Sequence, residues 1–560
     1  MLVVALLSQI WLNQNMTLPY LAIDIPEGER TPLVNWLLNL IAQQQQLLEG
    51  QQETIAKLEK EVTKLQEKAA SLDEQLLAAK KLKGKPKIRP STLNQDKKKS
   101  KPEGKRPGSD KRSKKTDFFV DEQRIIEPQG LPEGATFNGY REYDVQDLIL
   151  SRRNIRFLLA EYVTVEGQTV VGKLPAEYQG HYGPTLKSFI LYQHHQCRVP
   201  QNLICEQLKE LNIDISSGQV NRLLVEDKQS FHSQQSQVLQ AGLQTAEYVH
   251  TDDTGARHQG KNGYCTVIGN ALFAHFSSTN SKSRENYLRL LRGPHEDFVL
   301  NEYSRSYLEQ QQLAACHLCK LQFSSAVISK GDIEWQKYLQ KLGITSQQAV
   351  KMMTEAALLG SAIEQGLPSE LIILSDGAKQ FAIGIHALCW IHAERSIRRL
   401  NGVTQQQRAE IEDVLDDLWG YYRELKAYQQ QPSSEDKQRL QHRFDEIFGL
   451  RYPHHYALNL AMQQFCANKK ELLRVLDAPQ LPLHTNAAES DIREYVTRRK
   501  ISGGTRHEFG RLVRDTFTGL KKTCRKLGFS FWQYLLSRFK GDQSVPYLPD
   551  VIRTLAPAPT

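Results

Sequence analysis

The stretch "LIILSDGAKQF", Leu371–Phe381, runs four apolar residues and Ser375 into Asp376 and Gly377, after which the chain turns polar. A short apolar run bounded by glycine reads as a strand buried on both faces, and an acid at its carboxyl end stands where such sheets bind ligands. Upstream, "AEYVHTDDTGARHQGKNGYCTVIGNALFAHFSS" (Ala246–Ser278) reads as a strand Tyr248–Asp252, a glycine-punctuated loop, and strands Tyr264–Gly269 and Ala271–Phe276. Helical patterns fill Ser283 to about Glu364 and resume after Asp376 almost to the end, with a polar break at Tyr428–Pro432. The fold class is therefore α/β: a mixed sheet of few strands interleaved with helices and followed by a long helical portion.

The 560 residues, 40% of them hydrophobic, suffice for several domains and at least one large core. Eight scattered cysteines are too sparse for a disulfide framework and suit a reducing, cytoplasmic setting. The opening "MLVVALLSQIWLNQN" is apolar but lacks a basic lead and is too short to span a bilayer, so neither a signal peptide nor a membrane anchor is expected, and Met16 is an alternative start. The net charge of +9 is concentrated: Lys80 to Thr116 holds 16 Lys or Arg against three acids, a local +13, which leaves the remainder near −4. Such a run, rich also in Pro, Gly and Ser, reads as a disordered linker able to lie along phosphates; a solvated linker with no partner is the alternative.

From Leu37 apolar residues recur at Ile41, Leu48, Ile55, Leu58, Val62, Leu65, Ala69, Leu72 and Leu76, a heptad seam interrupted by Gln44 and Gln51. That period predicts a coiled coil and a homo-oligomer, the alternative being one long helix folded back on its own chain. "VPQNLICEQLKELNIDISSGQVNRLL", Val199–Leu224, predicts two helices, one with Leu203, Leu208 and Leu211 on its inner face, the second opened by a capping box of Ser216 and Gln219. As a helix-turn-helix it would present Gln219, Asn221 and Arg222 to DNA; two purely structural helices would look the same.

Asp252, with its neighbour Asp253, and Asp376 end two expected strands. Glu489, in "LPLHTNAAESDIREYVTRRK", lies in the first turn of a helix that Thr485 or Asn486 can cap, four residues before Arg493. Carboxylates gathered from separate segments are what Mg²⁺ requires, and two such ions clamp the attacking and leaving oxygens of a phosphoryl transfer. Arg493 to Lys526 holds eleven Lys or Arg against three acids, so Arg493, Arg498, Arg499 and Lys500 are candidates for gripping a DNA backbone.

Four motifs in order, "HTDDTG", "ILSDGAKQF", "CWIHAERSIRRL" and "TNAAESDIR…RRKISGG", resemble the transposases of the insertion-sequence-66 family, from about Lys187 to the C-terminus. The resemblance implies a ribonuclease-H-like catalytic domain with a DDE acid triad, matched here by Asp252, Asp376 and Glu489. It implies Mg²⁺, two ions per site with Mn²⁺ as a substitute, and double-stranded DNA, both element ends and target, as partner, with accessory proteins a further class. Asp252 is preferred to Asp253 on the motif match, and Asp491 is set aside because it lies on a different helical face. Cys389 and His392 match a Cys-x-x-His motif beside the second acid. With Cys316 and Cys319 they would make up a zinc set, but a buried cysteine with an orienting histidine is the commoner pattern, and zinc is not expected. Two departures stand out: no cysteine lies between Lys80 and Gln196, where many relatives carry a zinc-binding element, and His484, Thr485 and Ser490 replace the usual residues around the glutamate.

The expected organisation is an N-terminal segment (1–32), coiled coil (33–80), basic disordered linker (81–116), mixed region (117–196, with a helix and a hairpin in "DVQDLILSRRNIRFLLAEYVTVEGQTVVGKLP"), helix-turn-helix (197–240), catalytic domain (241–540, with a helical insertion at about 393–480) and tail (541–560). The expected activity is cutting of element ends and joining of 3′-hydroxyls to target DNA. The alternatives are a catalytically silent DNA-binding protein descended from a transposase and a ribonuclease-H-like nuclease without strand transfer.

Overall fold

The structure is a computed structural model that describes residues 31–83, 120–130 and 132–556. The expected N-terminal segment and the basic linker lie almost wholly outside the described residues. The first described element is one helix, Pro32–Lys83. Its seam residues Leu37, Leu48, Ile55, Leu58, Val62 and Leu65 are all exposed, while Glu67 accepts the Ala457 N–H at 3.1 Å and Lys64 lies over the Tyr456 ring. The helix thus touches its own chain at one point and leaves its apolar stripe uncovered.

Residues 144–160, expected to hold a helix, are irregular and exposed throughout, a correction to the sequence reading. An isolated apolar pattern specifies a helix only where a surface receives its stripe, and among the described residues none is offered here. The expected hairpin follows as β1 (Glu161–Val163) and β2 (Thr169–Val171).

The central sheet has five strands. It contains β3 (Tyr248–His258), β4 (Lys261–Gly269), β5 (Ala274–Thr279), then β8 (Ile372–Ser375) and β9 (Ile385–Leu388), in the order β5-β4-β3-β8-β9. The first three are antiparallel, whereas β3, β8 and β9 run parallel. β6 (Asp297–Val299) and β7 (Val327–Lys330) form a separate two-stranded ladder within the helical stretch between β5 and β8.

β3 is longer than the sequence reading gave it. The "DDTGARH" segment continues the strand, and Gln259 and Gly260, at φ 50° and 75°, form the two-residue turn into β4. Paired positive φ values match the right-handed twist of a hairpin. The polar residues and Gly255 suggested a loop, but pairing against the buried Cys265 and Val267 of β4 overrides that local signal. Asp252 therefore lies within a strand rather than at its end, at the level where the neighbouring β8 stops.

Register decides the faces. Ala256 of β3, Cys265 and Val267 of β4, and Ala274 and Phe276 of β5 pack with Ile492 and Tyr495 of the Asn486–Ser502 helix. Val249, Ile268 and Phe273 belong instead to the large core on the opposite face, built with the Gln229–Thr245, Arg284–Arg292 and Gln347–Glu364 helices. Beyond β9 the chain is helical from Trp390 to Leu476 and closes a second core around Trp390, whose indole N–H donates to the Leu472 carbonyl at 2.9 Å.

In the small helix pair, Gln201–Glu210 and Ser217–Val225, Ser216 accepts the Gln219 N–H, one half of the expected capping box. The inner face of the first helix is Ile204 and Leu208, with Leu203 exposed, because i and i+4 share a face. Gly360 marks a tight crossing in the large core: a Cβ there would overlap the Val299 carbonyl oxygen. Gly360→Ala should lower unfolding stability by about 1–3 kcal/mol despite the better helix propensity of alanine. A denaturant titration showing an unchanged midpoint would contradict that packing.

Candidate active site

The parallel ladder pairs Tyr248 with Ile372, Val249 with Ile373 and His250 with Leu374. The pairing ends at His250 and Leu374, and Asp376 follows just past the end of β8, near enough for its charge to act on Asp252. Side chains alternate along a strand, so Asp252 shares the face of His250 and Ala256, the face covered by the helix that carries Glu489. Asp253 points the opposite way, where Lys282 pairs with it and Gln380 Nε2 donates to its Oδ2 at 2.6 Å. The alternation that could not choose between the two aspartates in the sequence separates them once the faces are known.

Local chemistry fixes each group. Asp376 leaves β8 on an exposed turn in which Ser375 Oγ accepts the Gly377 N–H, Asp376 Oδ1 accepts the Ala378 N–H, both at 3.0 Å, and Gly377 takes φ 96°. Ser375 is held from below by His386, which meets Glu471. Asp252 is half-buried and its Oδ1 accepts the Asp253 N–H at 2.7 Å. Burial pushes its carboxyl up to about 6, with the charge of Asp376 adding to the rise and the Asp253 N–H opposing it.

Glu489 occupies the first turn of its helix, but Thr485, though at the N-cap position, makes no side-chain cap. Its N–H instead donates to the buried Cys389 sulfur at 3.3 Å, and its hydroxyl faces His392. Burial alone would raise the Cys389 thiol, but hydrogen bonds with His392 and Thr485 outweigh it and lower it; the bond to Cys389 raises His392 in turn. This brace joins the start of the Trp390–Arg398 helix to the start of the Glu489 helix. Glu489 Oε1 lies 3.6 Å from His392 Nε2 and 3.3 Å from Arg395 Nη1, and the sequence spacing to Arg493 yields no ion pair among the described residues.

The three acids thus border one region without closing on a common point. Asp252 and Asp376 are close enough for their charges to interact, while Glu489 is engaged by His392 and Arg395. Among the described residues, no three His, Cys, Asp or Glu side chains stand close enough to cage a metal ion. The aspartate pair nevertheless suits a hard dication, since burial and, after it, the charge of Asp376 raise Asp252, and a cation there would offset both. Cys316 and Cys319 are exposed, whereas Cys389 is committed to Thr485 and His392.

The family model described as "Transposase IS66 family" matches residues 179–317 and 372–511, segments that contain all three acids. A protein of Sinorhizobium fredii (strain NBRC 101917 / NGR234), named "Uncharacterized protein y4jO", is 42% identical over 303 residues, covering 54% of this chain and 94% of that relative. The chain belongs to the IS66 transposase family. Membership of a transposase family implies DNA as a partner, and no helix among the described residues is long and apolar enough to cross a membrane.

For a transposase, the basic segment after Glu489 is less available than its composition suggests. Arg493 and Lys500 are exposed, and Arg499 reaches back to the Gly255 carbonyl. Arg498 requires correction as a DNA contact: it is buried, and its Nη1 donates to the His194 carbonyl at 3.0 Å. Arg514, Lys521 and Lys522 are buried as well. Asn221 and Arg222 are exposed on the second small helix, with Gln219 half-buried.

Asp491 and Glu494 were overlooked as organising residues. Burial opposes the charge of Asp491, but His250, 3.4 Å away, and Lys526, at 2.6 Å, hold its carboxyl down at about 2. It pins the Glu489 helix to β3 two residues before Asp252. Nothing in the local pattern distinguishes it from a solvated acid.

Asp252 carries its proton up to about pH 6 when folded, against an ordinary 3.8, so ionising it in place costs stability as the pH rises through that window. Asp252→Asn should therefore stabilise the metal-free protein at pH 7.5 by roughly 1–3 kcal/mol, an advantage that vanishes below about pH 4. Added Mg²⁺ should stabilise the wild type more than the variant. Thermal melts at both pH values, with EDTA or Mg²⁺, check this; a variant no more stable than the wild type at pH 7.5 would refute it.

Proposed function

We propose that this family member is a DDE transposase with a ribonuclease-H-like catalytic core, which cuts the ends of an insertion sequence and joins the freed 3′-hydroxyls to target DNA. The observation that supports the reading is that Asp376 lies near enough to Asp252 for their charges to interact, with Asp252 on the sheet face covered by the Glu489 helix. Asp252, Asp376 and Glu489 would hold Mg²⁺. Bound there as a pair, the ions supply Lewis-acid activation of water or a 3′-hydroxyl and stabilise the charge developing at phosphorus.

The chain's own residues supply position. The Ser375–Gly377 turn aims the Asp376 carboxylate outward, and Asp252 is fixed from mid-strand by its neighbour's N–H. His392 and Arg395 hold Glu489 within the same region. Lys282 pairs with Asp253 on the opposite face of the strand. The exposed Arg493 and Lys500 lie on the Glu489 helix, where they can meet phosphates flanking the scissile bond, while Asn221 and Arg222 would read the element end as part of a helix-turn-helix. The uncovered stripe of the Pro32–Lys83 helix would pair protomers as a coiled coil, bringing two ends together.

Full-length protein with Mg²⁺ should nick a labelled duplex bearing the element's end and join it to a plasmid. Asp376→Asn should reduce both products at least about a hundredfold, because an amide lacks the anionic oxygen a hard dication needs. Nicking without joining would point to a nuclease, and binding with neither reaction to a silent descendant. In the same protein, Leu58→Lys with Leu65→Lys should convert the oligomer to monomer in sedimentation velocity; an unchanged coefficient would rule out the coiled-coil seam.

A further inference from the structure

The Glu489 helix is tied, through a polar junction, to the end of the Pro184–His195 helix and to the connection that leads from it into the small helix pair. Arg198 sits in the connection between the Pro184–His195 and Gln201–Glu210 helices, at φ 63°. This is left-handed backbone that an arginine adopts only when its surroundings insist. Its side chain reaches Glu494, Nε at 3.0 Å and Nη2 at 2.6 Å from the same carboxylate oxygen. Lys521 Nζ donates to that oxygen too, at 2.6 Å, and to the His195 carbonyl at 3.0 Å. Arg498, one turn beyond Glu494, donates to the His194 carbonyl. Two cations, Arg198 and Lys521, thus hold one carboxylate, while Lys521 and Arg498 cap the C-terminal end of the Pro184–His195 helix.

Arg198 is the member of this junction that belongs to neither helix it joins. Glu494 is five residues beyond Glu489 on one continuous helix, about 7.5 Å along its axis. Glu489 itself is engaged by Arg395 and His392 and not by the aspartates. A small rotation of the helix would exchange one set of neighbours for the other.

Building on the transposase reading above, we infer that Arg198 and Glu494 are positioning residues that couple the seating of DNA on the small helix pair to the placement of Glu489 beside Asp252 and Asp376. DNA bound by the pair shifts its connection, Arg198 carries the shift to Glu494, and the rigid helix delivers it to Glu489. Cutting is then favoured only when an element end is in place.

Arg198→Gly isolates this coupling, because glycine accepts the positive φ without strain while removing the guanidinium. With full-length protein, the end duplex and Mg²⁺, the variant should nick about tenfold more slowly at saturating duplex, with the half-saturating duplex concentration within about twofold of wild type. Its melting temperature should stay within about 2 °C of wild type, and Arg198→Lys should recover part of the lost rate. An unchanged saturated rate overturns the coupling. So does a loss confined to duplex affinity or accompanied by an equivalent loss of thermal stability, since the contact would then be purely structural. A wild type that binds the duplex but does not nick it defeats the transposase chemistry itself, and this inference with it.

Discussion

The parallel pairing of β3 with β8 is the constraint on which the remainder of the structure rests. Each strand is buried, so its main-chain groups must find partners in the sheet, and the apolar faces of Ile372, Ile373 and Leu374 allow only one register against Val249 and His250. A slip of one residue would turn Asp252 toward the large core and Asp253 toward the Glu489 helix. The ladder thereby brings together two acids separated by most of the intervening helices. Because β8 ends while β3 continues with β4, Asp376 emerges into solvent alongside an aspartate still anchored in the sheet.

The third acid is placed by charge rather than by hydrogen-bonded strands. Buried ions are costly unless paired, and geometry selects their partners. Along the Asn486–Ser502 helix, Asp491 answers His250 and Lys526, and Glu494 answers Arg198 and Lys521. Ile492 and Tyr495 between them fill the apolar face of the sheet. These pairings hold the helix against the sheet, and Glu489 stands in its first turn, engaged by His392 and Arg395. The Cys389, His392 and Thr485 brace secures the entry to that helix, which gives the Cys-x-x-His motif a structural role here.

Composition misled in two places for one physical reason. Arg498, Lys521 and Lys522 read as surface charges because local sequence cannot say which basic residues meet buried acids from distant segments. Residues 144–160 read as a helix because an apolar pattern is visible locally, whereas the surface needed to receive it is not. The β3 reading erred in the reverse direction, where Gly255 and polar neighbours hid a strand that the apolar β4 holds in place.

By itself, the sequence determined the buried strand at Leu371–Ser375, the acids Asp252, Asp376 and Glu489 as candidates, the Ser216 cap, the long heptad-bearing helix and the family. These are encoded in residue type, period and short motifs, which act over a few positions. Only the tertiary structure decided that Asp252 and not Asp253 faces the Glu489 helix, that Asp491 and Glu494 are clamps, and that Arg198 reaches across to Glu494. Those outcomes depend on strand register and on the pairing of charges nearly 300 residues apart, and both are fixed by burial, which no local stretch of chain contains.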